Sequence, residues 1–405
     1  MGHAPLTAPT DARAAPRPLT VVALAGAAVA VGHGFGRLTY PFVLPAMVDD
    51  LVGSYSRAGV LGMANLLAYL AGVLLVIRLS PRVALTRFIR VGLTGVIVGL
   101  AVLAVAPTYG VLLLGMALTG GFNAAIWVPA SALITSVVPA RHRGLAAGAL
   151  GMGFGLAIVF AGQLTRVVQA RQGDGAWRPI WAAAAAVGVV VLVAMTVGLR
   201  VRTAARPSGP PALSALRRLP GAAALIVSYA GFALGYVVFS SYLVAALRDD
   251  AGFSASHAAA VYSVVGLLGI VGGVVVGRVS DRLGRRNAIA GAHLLMAGSA
   301  LAVLLGAEPW VVLAAASFGV FASGMPAVVA AYIADHLEAV AVAGALGFVT
   351  IAFGVSQTLG PPIGGWLADS SNAFTLTFLL SASAHVVGAA AALALPADAH
   401  ASRPA

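Results

Sequence analysis

Stretches of 20 or more mostly apolar residues recur along almost the whole chain, and they restrict the folds open to it. An α-helix rises about 1.5 Å per residue, so about 20 such residues cross the roughly 30 Å hydrocarbon core of a bilayer. The strands of a membrane β-barrel would alternate polar and apolar residues, and this sequence shows no such alternation. Hydrophobic residues fill 60% of the 405 positions and charged residues 9%, which is atypical of water-soluble proteins. The sequence therefore predicts an all-α membrane protein.

Apolar runs bounded by Arg, Pro, Gly and Asp predict twelve transmembrane helices, six on each side of a polar break. The break runs from Arg200 to Pro220 and fits a linker between two six-helix bundles. We divide the chain into a tail at 1–19, a first bundle at 20–199, a linker at 200–219, a second bundle at 220–395 and a tail at 396–405. The predicted helices cover 20–47, 57–77, 87–106, 109–137, 143–165, 178–199, 220–247, 257–277, 288–307, 309–332, 342–367 and 374–395.

The two halves share residues at a spacing of 200 positions, which indicates an internal repeat. Asp49-Asp50 reappears as Asp249-Asp250. The other repeated residues are Ser54, Ser56, Gly72, Arg78, Ser80 and Arg82, which reappear as Ser254, Ser256, Gly272, Arg278, Ser280 and Arg282. Parallel repeats suit a carrier whose substrate binds between two halves that rock against each other. The repeat therefore predicts two bundles related by pseudo-two-fold symmetry.

The basic residues predict the orientation of the chain in the membrane. All 24 are Arg, and they lie mostly in short loops instead of forming the patch that a nucleic acid would require. With the N-terminus inside, 18 Arg residues fall on the inner side and five on the outer side, and Arg37 lies within helix 1. By the positive-inside rule, both termini and the linker are cytoplasmic. We expect the protein in the cell (inner) membrane of a bacterium, as a monomer and without a nucleic-acid partner.

Several classes of function lack their usual sequence signals. The chain has no Cys, no HExxH motif, no phosphate loop and no pair of carboxylates within a predicted helix. No loop is long enough for a nucleotide-binding domain, so ATP-driven transport by this chain alone is excluded. We therefore expect no enzymatic activity, no cofactor and no metal.

One loop motif carries a resemblance to a known superfamily. Residues 277–286 read GRVSDRLGRR, which fits the pattern G-x-x-x-D-R-x-G-R-R at every specified position. The chain resembles the major facilitator superfamily over about residues 20–395 on this motif and the twelve predicted helices. The resemblance implies a gating loop that helps to latch the outward-open state, formed by Gly277, Asp281, Arg282, Gly284, Arg285 and Arg286. The equivalent loop of the first half has Ile77, Pro81 and Ala84 in place of Gly, Asp and Gly, so we expect an asymmetric interlock.

Two further segments refine the resemblance. Residues 32–47, GHGFGRLTYPFVLPAM, are similar to the YbfB/YjiJ-like branch, whose first helix reads G-x-G-R-x-x-Y before a Leu-Pro-x-Met end. Helix 2 adds NLLAYLAG at 65–72 to this similarity. Residues 354–365, GVSQTLGPPIGG, resemble the Gly-Pro bending segment of antiporters, although that segment usually lies in helix 5. Helix packing is the other explanation for this segment.

Polar residues near the middle of helices 1, 4, 7 and 10 are the candidate substrate ligands, because the resemblance implies that these helices line the cavity. On helix 1, three of them follow i, i+4, i+7 spacing and are predicted to share one face. The candidates are His33, Arg37, Tyr40, Asn123, Trp127, Tyr236, Ser240, Ser323 and Met325.

Arg37 is the most informative of these residues. An Arg near the membrane centre costs about 2.5–3.5 kcal/mol on insertion scales, so it usually faces a polar interior. Bonding to helix carbonyls near Pro41 is the structural alternative. No Asp or Glu lies inside a predicted helix, which leaves His33 as the cavity residue whose ordinary chemistry allows proton exchange near neutrality. Protons are therefore the candidate coupling ion, and structural bonding of His33 is the alternative.

These observations favour a secondary carrier for a small organic solute, with Arg37 favouring an anionic or carbonyl-bearing one. A drug or metabolite exporter of the same fold is the first alternative. A membrane sensor that binds without transporting is the second.

Overall fold

The computed structural model describes residues 18–137, 143–199 and 213–396, and these ranges are dominated by long helices. We number the long helices in chain order. They are α1 (Pro18–Val52), α2 (Tyr55–Leu79), α3 (Leu85–Ala104), α4 (Tyr109–Val137), α5 (Arg143–Gln172), α6 (Arg178–Gly198), α7 (Ala222–Asp249), α8 (Ala255–Leu283), α9 (Arg285–Val303), α10 (Trp310–His336), α11 (Ala339–Ser371) and α12 (Thr375–Leu393).

Within these described ranges, eleven helices are long and apolar enough to cross a membrane. They include every numbered helix except α9, which has 19 residues and begins with Arg285, Arg286 and Asn287. The prediction of a helical membrane protein is confirmed, and eleven of the twelve expected spans meet this criterion.

Several helices extend beyond their predicted ends. α1 continues past Met47 to Val52, where Gly53 takes a left-handed conformation with φ of 83°. α5 continues to Gln172, seven residues past its predicted end at 165. Hydropathy locates the apolar part of a helix, whereas the backbone ladder continues through polar residues until a residue such as Gly53 stops it. A short helix, Leu213–Arg218, lies in the predicted linker, whereas linker residues 200–212 and most of both tails lie outside the described residues.

α1 combines α-helical and π-helical segments, which the sequence analysis did not predict. Its π-helical segments are Ala30–Leu38 and Val48–Val52. The first contains Gly32, Gly34 and Gly36, and it packs closely on its neighbours: a Cβ added to Gly34 would lie 2.0 Å from the Cβ of Ala157 in α5. π-helical turns are rare and often occur at functional sites.

Helix pairings recur in the two halves of the chain. α4 packs against α2 and α3, and α10 packs in the same way against α8 and α9. The most extensive contacts between the halves follow an exchanged pattern, α2 with α11 and α5 with α8, and α1 also meets α7. The α2–α11 and α5–α8 contacts both bring backbones close together. A Cβ added to Gly59 of α2 would lie 2.3 Å from the carbonyl oxygen of Pro361 in α11. A Cβ added to Gly155 of α5 would lie 2.6 Å from the carbonyl oxygen of Gly266 in α8. Small residues at such positions let membrane helices approach closely.

Candidate functional site

A small cavity lies between the two halves of the chain, beside the π-helical segment of α1. Its volume is about 30 Å³, room for water rather than for an organic solute. α1 and α7 supply most of its lining, and α2, α4 and α11 supply the rest. The lining residues are Arg37, Leu38, Tyr40, Pro41, Gly62, Asn65, Leu66, Met116, Tyr236, Val237, Ser240, Ser241 and Pro361. Four predicted ligands, Arg37, Tyr40, Tyr236 and Ser240, therefore meet at one cavity.

Arg37 supplies the positive charge of this cavity. It lies in the last turn of the π-helical segment and is half-buried. Among the described residues, its guanidinium forms no hydrogen bond or ion pair. Its charge acts on four neighbouring side chains, those of His33, Tyr69, Tyr236 and Tyr262. A cation in this setting, with hydroxyl groups around it and no carboxylate partner, is suited to bind an anion.

Two tyrosines and a serine border Arg37. The Tyr40 hydroxyl donates to the carbonyl oxygen of Ala58 at 2.7 Å, which joins α1 to α2. Ser240 is buried close to Tyr236 and Tyr262. The hydroxyl of Tyr40 is thus committed to the protein backbone.

Asn65 of α2 was not among the predicted site residues. It is buried, and its Nδ2 lies 3.1 Å from the carbonyl oxygens of Gly36 and Met116 and 3.0 Å from Oγ1 of Thr119. These bonds fix α1 and α4 beside the π-helical segment that carries Arg37. A lone amide in an apolar helix was the sequence signal, and intramembrane amides often join helices in this way.

His33 lies in a neighbouring cluster within the first half of the chain, outside the lining of the cavity. Its Nδ1 is 3.0 Å from Nδ2 of Asn123, and its ring centroid is 4.9 Å from that of Trp127. Phe154 and Tyr69 complete the cluster, with ring centroids 5.3 and 6.1 Å from that of His33. The candidates His33, Asn123 and Trp127 meet in this cluster, whereas the sequence predicts them in the cavity with Arg37 and Tyr40. The i, i+4, i+7 argument assumes 3.6 residues per turn, and a π-helical segment departs from that period.

The two candidates on α10 lie away from the cavity. Ser323 packs against α8, where a Cβ added to Gly272 would lie 2.1 Å from the Ser323 Oγ. The Ser323 hydroxyl donates to the carbonyl oxygen of Val320 at 3.1 Å, and Met325 is buried in the core. In this structure both residues contribute to packing in the second half of the chain.

The loop motif forms an ion-pair network between α8, α9 and α10. Arg285 donates to Asp281 at 2.6 Å, to the Oγ of Ser280 at 2.9 Å and to Asp335 of α10 at 2.9 Å. Gly284 has a φ of 82°, which explains the glycine at the turn between α8 and α9. Asp335 is a partner that sequence analysis missed, because it lies 50 residues away in the chain.

The other motif residues have different surroundings. Arg282 is exposed, and the Nε of Arg286 is buried without a partner among the described residues. A Cβ added to Gly277 would meet nothing within 4 Å, so packing does not require a glycine there in this structure.

Comparison with known proteins identifies the family. A family model described as "Uncharacterised MFS-type transporter YbfB", where MFS denotes the major facilitator superfamily, matches residues 29–393. The chain belongs to this family. Its membership confirms the superfamily and the branch expected from the loop motif and from helix 1.

Relatives of this MFS-type transporter carry different names. A transcription regulatory protein, OpdE, of Pseudomonas aeruginosa is 29% identical over 295 residues, which cover 71% of the chain and 72% of the relative. A chloramphenicol efflux pump of Mycobacterium tuberculosis is 26% identical over 375 residues and 86% of both proteins. Monocarboxylate transporter 12-B of Danio rerio is 29% identical over 168 residues, which cover 40% of the chain and 34% of the relative.

A solved structure shows the same fold. It is a bacterial homologue of the human lysosomal transporter Spinster, in an inward-facing and unoccupied conformation, with a TM-score of 0.72 and 17% identity over 94% of both chains. Together with its family and its apolar helices, this fold makes the chain an integral membrane protein of the MFS type.

Hydrogen bonds join the two halves of this MFS-type transporter where α2 begins and α11 ends, a region that we call the Asp369 end. Asp369 of α11 accepts from the backbone nitrogens of Tyr55 and Ser56 at 2.9 and 2.8 Å and from Oγ of Ser56 at 2.5 Å. The hydroxyl of Tyr55 donates to Asp249 of α7.

The repeated aspartates Asp50 and Asp250 have equivalent roles at the Asp369 end. Asp50 accepts from Nε1 of Trp177 at 3.0 Å and pairs with Arg178 at 2.5 Å at the start of α6. Asp250 accepts from the backbone nitrogen of Phe374 at 2.7 Å, just before α12. Each aspartate thus stabilises the N-terminus of the last helix in its own half, where a negative charge is favoured.

Proposed function

We propose that this protein is a secondary active transporter that works by alternating access between two six-helix bundles related by pseudo-two-fold symmetry. The register of the cavity lining supports this proposal. The cavity is lined by residues 37, 38, 40 and 41 of α1 and by residues 236, 237, 240 and 241 of α7. Three of the four α1 positions, 37, 40 and 41, therefore recur 200 positions later on α7. The helix pairings that recur in the two halves also support two equivalent bundles. In this proposal α9 is the twelfth transmembrane helix. Both termini are cytoplasmic in this proposal, in accord with the Arg distribution, and the membrane is the inner membrane of a bacterium.

Its substrate in this proposal is a small organic anion, and the observation that carries this choice is the unpaired charge of Arg37. Removing a cation from water is expensive unless a partner neutralises it, and the described residues of the cavity offer no carboxylate. A substrate carboxylate supplies that partner through two parallel hydrogen bonds to the guanidinium. The partial likeness to a monocarboxylate transporter agrees with an anionic substrate.

The cavity must enlarge before such a substrate can bind. At about 30 Å³ it is far smaller than the few hundred Å³ typical of organic ligand sites. Its walls come from both halves of the chain, so a relative movement of the bundles would widen it. We therefore propose that this structure represents a state in which the substrate site is contracted.

Protons are the proposed coupling ion, and His33 is the candidate carrier. His33 is half-buried beside Arg37, and Asn123 binds its Nδ1. The positive charge of Arg37 repels a proton on His33. An anion bound to Arg37 would offset that charge and so favour protonation of His33. Proton-coupled uptake should therefore lose its dependence on an imposed pH gradient in His33→Gln.

Drug efflux is the second candidate function. It is favoured by the chloramphenicol pump, which matches 86% of the chain, and by Pro361, which lines the cavity from α11. An uncharged drug would not need Arg37, so the two functions predict different results for the same variants.

Flux into proteoliposomes tests the proposal. After a thermal-shift screen of carboxylates, amino acids, sugars and drugs, we expect uptake of a carboxylate by the parent protein, weaker binding in Arg37→Lys and no binding in Arg37→Ala. Arg37→Ala that keeps its affinity for a verified carboxylate would refute the role of Arg37. Flux of an uncharged drug alone, unchanged in Arg37→Ala, would support the efflux function instead.

A further inference from the structure

We propose that Asp369 is a latch that holds the two halves of the transporter together at the Asp369 end, and that its release permits opening there. This inference rests on the proposed alternating-access function, and it assigns a role to a residue outside the substrate cavity and outside the loop motif.

The carboxylate of Asp369, in the second half of the chain, binds the N-terminus of α2, in the first half. All three hydrogen bonds to its carboxylate come from Tyr55 and Ser56 at the N-terminus of α2. The first backbone N–H groups of a helix lack partners within the helix, and the helix dipole favours a negative charge there. Ordinarily a residue of the same segment caps these groups. Here Asp369 comes from α11, more than 300 residues later in the chain.

The latch is separate from the cap that α2 already has. Ser54 is the N-cap residue of α2, and its side chain accepts from the backbone nitrogen of Arg57. α2 can therefore begin at Tyr55 without Asp369. The bonds made by Asp369 stabilise the contact of α2 with α11, because they are lost as soon as the two helices separate.

The repeat shows that this latch belongs to one of the two exchanged helix pairs between the halves, α2 with α11 and α5 with α8. Ser54 and Ser56 correspond to Ser254 and Ser256, which precede or begin α8, the helix that packs against α5. However, α5 contains no Asp or Glu along its whole length. Ser256 Oγ lies 3.3 Å from Ser254 Oγ, within its own segment. Asp174 lies two residues beyond the end of α5, but among the described residues no hydrogen bond joins its carboxylate to these serines.

Asp369 and Asp281 also occupy opposite ends of the molecule. α8 begins near the Asp369 end and runs to Asp281 at its other end, whereas the equivalent position after α2 is Pro81. Each of the two exchanged helix pairs therefore includes one helix with an acidic residue at one end: Asp369 in the α2–α11 pair, and Asp281 in the α5–α8 pair. We infer that loss of Asp369 favours opening at the Asp369 end.

Distance measurements between spin labels test this inference without a substrate. The chain has no Cys, so Asp174→Cys and Ala307→Cys place two labels on exposed loop positions in different halves, at the Asp369 end. In the doubly labelled protein, Asp369→Asn should raise the ratio of separated to closed populations roughly tenfold, equivalent to about 1.4 kcal/mol. Ser56→Ala removes one of the three bonds and should shift the ratio in the same direction by a smaller factor.

Asp250→Asn is the matched control. Asp250 also binds a backbone N–H near a helix start at this end, but both partners belong to the second half of the chain. Its variant should lower the melting temperature and leave the distance distribution unchanged. The latch is refuted if Asp369→Asn and Ser56→Ala both keep the parent distribution, or if Asp250→Asn shifts it as much as Asp369→Asn does. Failure of the transport proposal would show separately, as absent flux of carboxylates and drugs in proteoliposomes.

Discussion

Replacing Arg37 by Met should make the substrate-free protein more stable while it removes anion binding. Met has a similar length and no charge, so the change removes the cost of the guanidinium without leaving a large void. In a protein selected for stability alone, an unpaired cation at this position would have no purpose. The expected gain in stability therefore tests whether Arg37 is kept for its ligand.

The size of the gain follows from the surroundings of Arg37. An Arg near the centre of a membrane helix costs about 2.5–3.5 kcal/mol on insertion scales. Part of this cost is offset in the folded protein, because Arg37 is half-buried and borders a cavity of about 30 Å³ that can hold a small amount of water. We therefore expect Arg37→Met to raise the free energy of unfolding by about 1–3 kcal/mol, a shift in melting temperature on the order of several degrees.

Thermal unfolding in detergent, followed by Trp fluorescence, measures this shift in the absence of ligand. Arg90→Met is the matched control, since Arg90 donates to the carbonyl oxygens of Leu199 and Thr196 at the end of α6. It should lower the melting temperature, because it leaves the partly buried carbonyl oxygen of Leu199 without its charged partner. If Arg37→Met lowers the melting temperature as much as Arg90→Met, Arg37 is a structural residue and the argument for an anionic substrate fails.

Three further predictions concern other parts of the molecule. Asn65→Ala should destabilise the protein by about 1–3 kcal/mol in thermal unfolding, because it leaves the buried oxygen atoms bonded to its amide without that donor; an unchanged melting temperature would contradict this role. Asp281→Asn should slow flux at a matched amount of folded protein, because Arg285 loses one of its two carboxylate partners; equal flux would reduce the loop to an orientation signal. A single Cys at Ala205 should resist an impermeant thiol reagent in intact cells while one at Gly173 reacts, and the opposite pattern would reverse the proposed topology.

Local patterns in the sequence predicted much of this protein. The bilayer requires about 20 apolar residues for each span, so hydropathy located the helices without any tertiary information. Ten consecutive residues sufficed for the loop motif, and the helix 1 pattern indicated the family that comparison later confirmed. The cost of an isolated charge in a membrane selected Arg37, which the structure brings to the cavity with Tyr40, Tyr236 and Ser240.

Other features depended on which helices meet. The regular α-helical period predicts His33 and Arg37 on one face of helix 1. In the structure, glycines allow close packing of a π-helical segment in which His33 contacts Asn123 and Arg37 borders the cavity. The sequence places Ser323 and Met325 near the middle of α10, but only the structure shows that they pack within the second half of the chain. The pairing of Asp369 with α2 joins residues more than 300 positions apart. A hydrogen bond forms between atoms that are close in space, and no local period in the sequence specifies that distance, so only the packing of α2 against α11 could decide it.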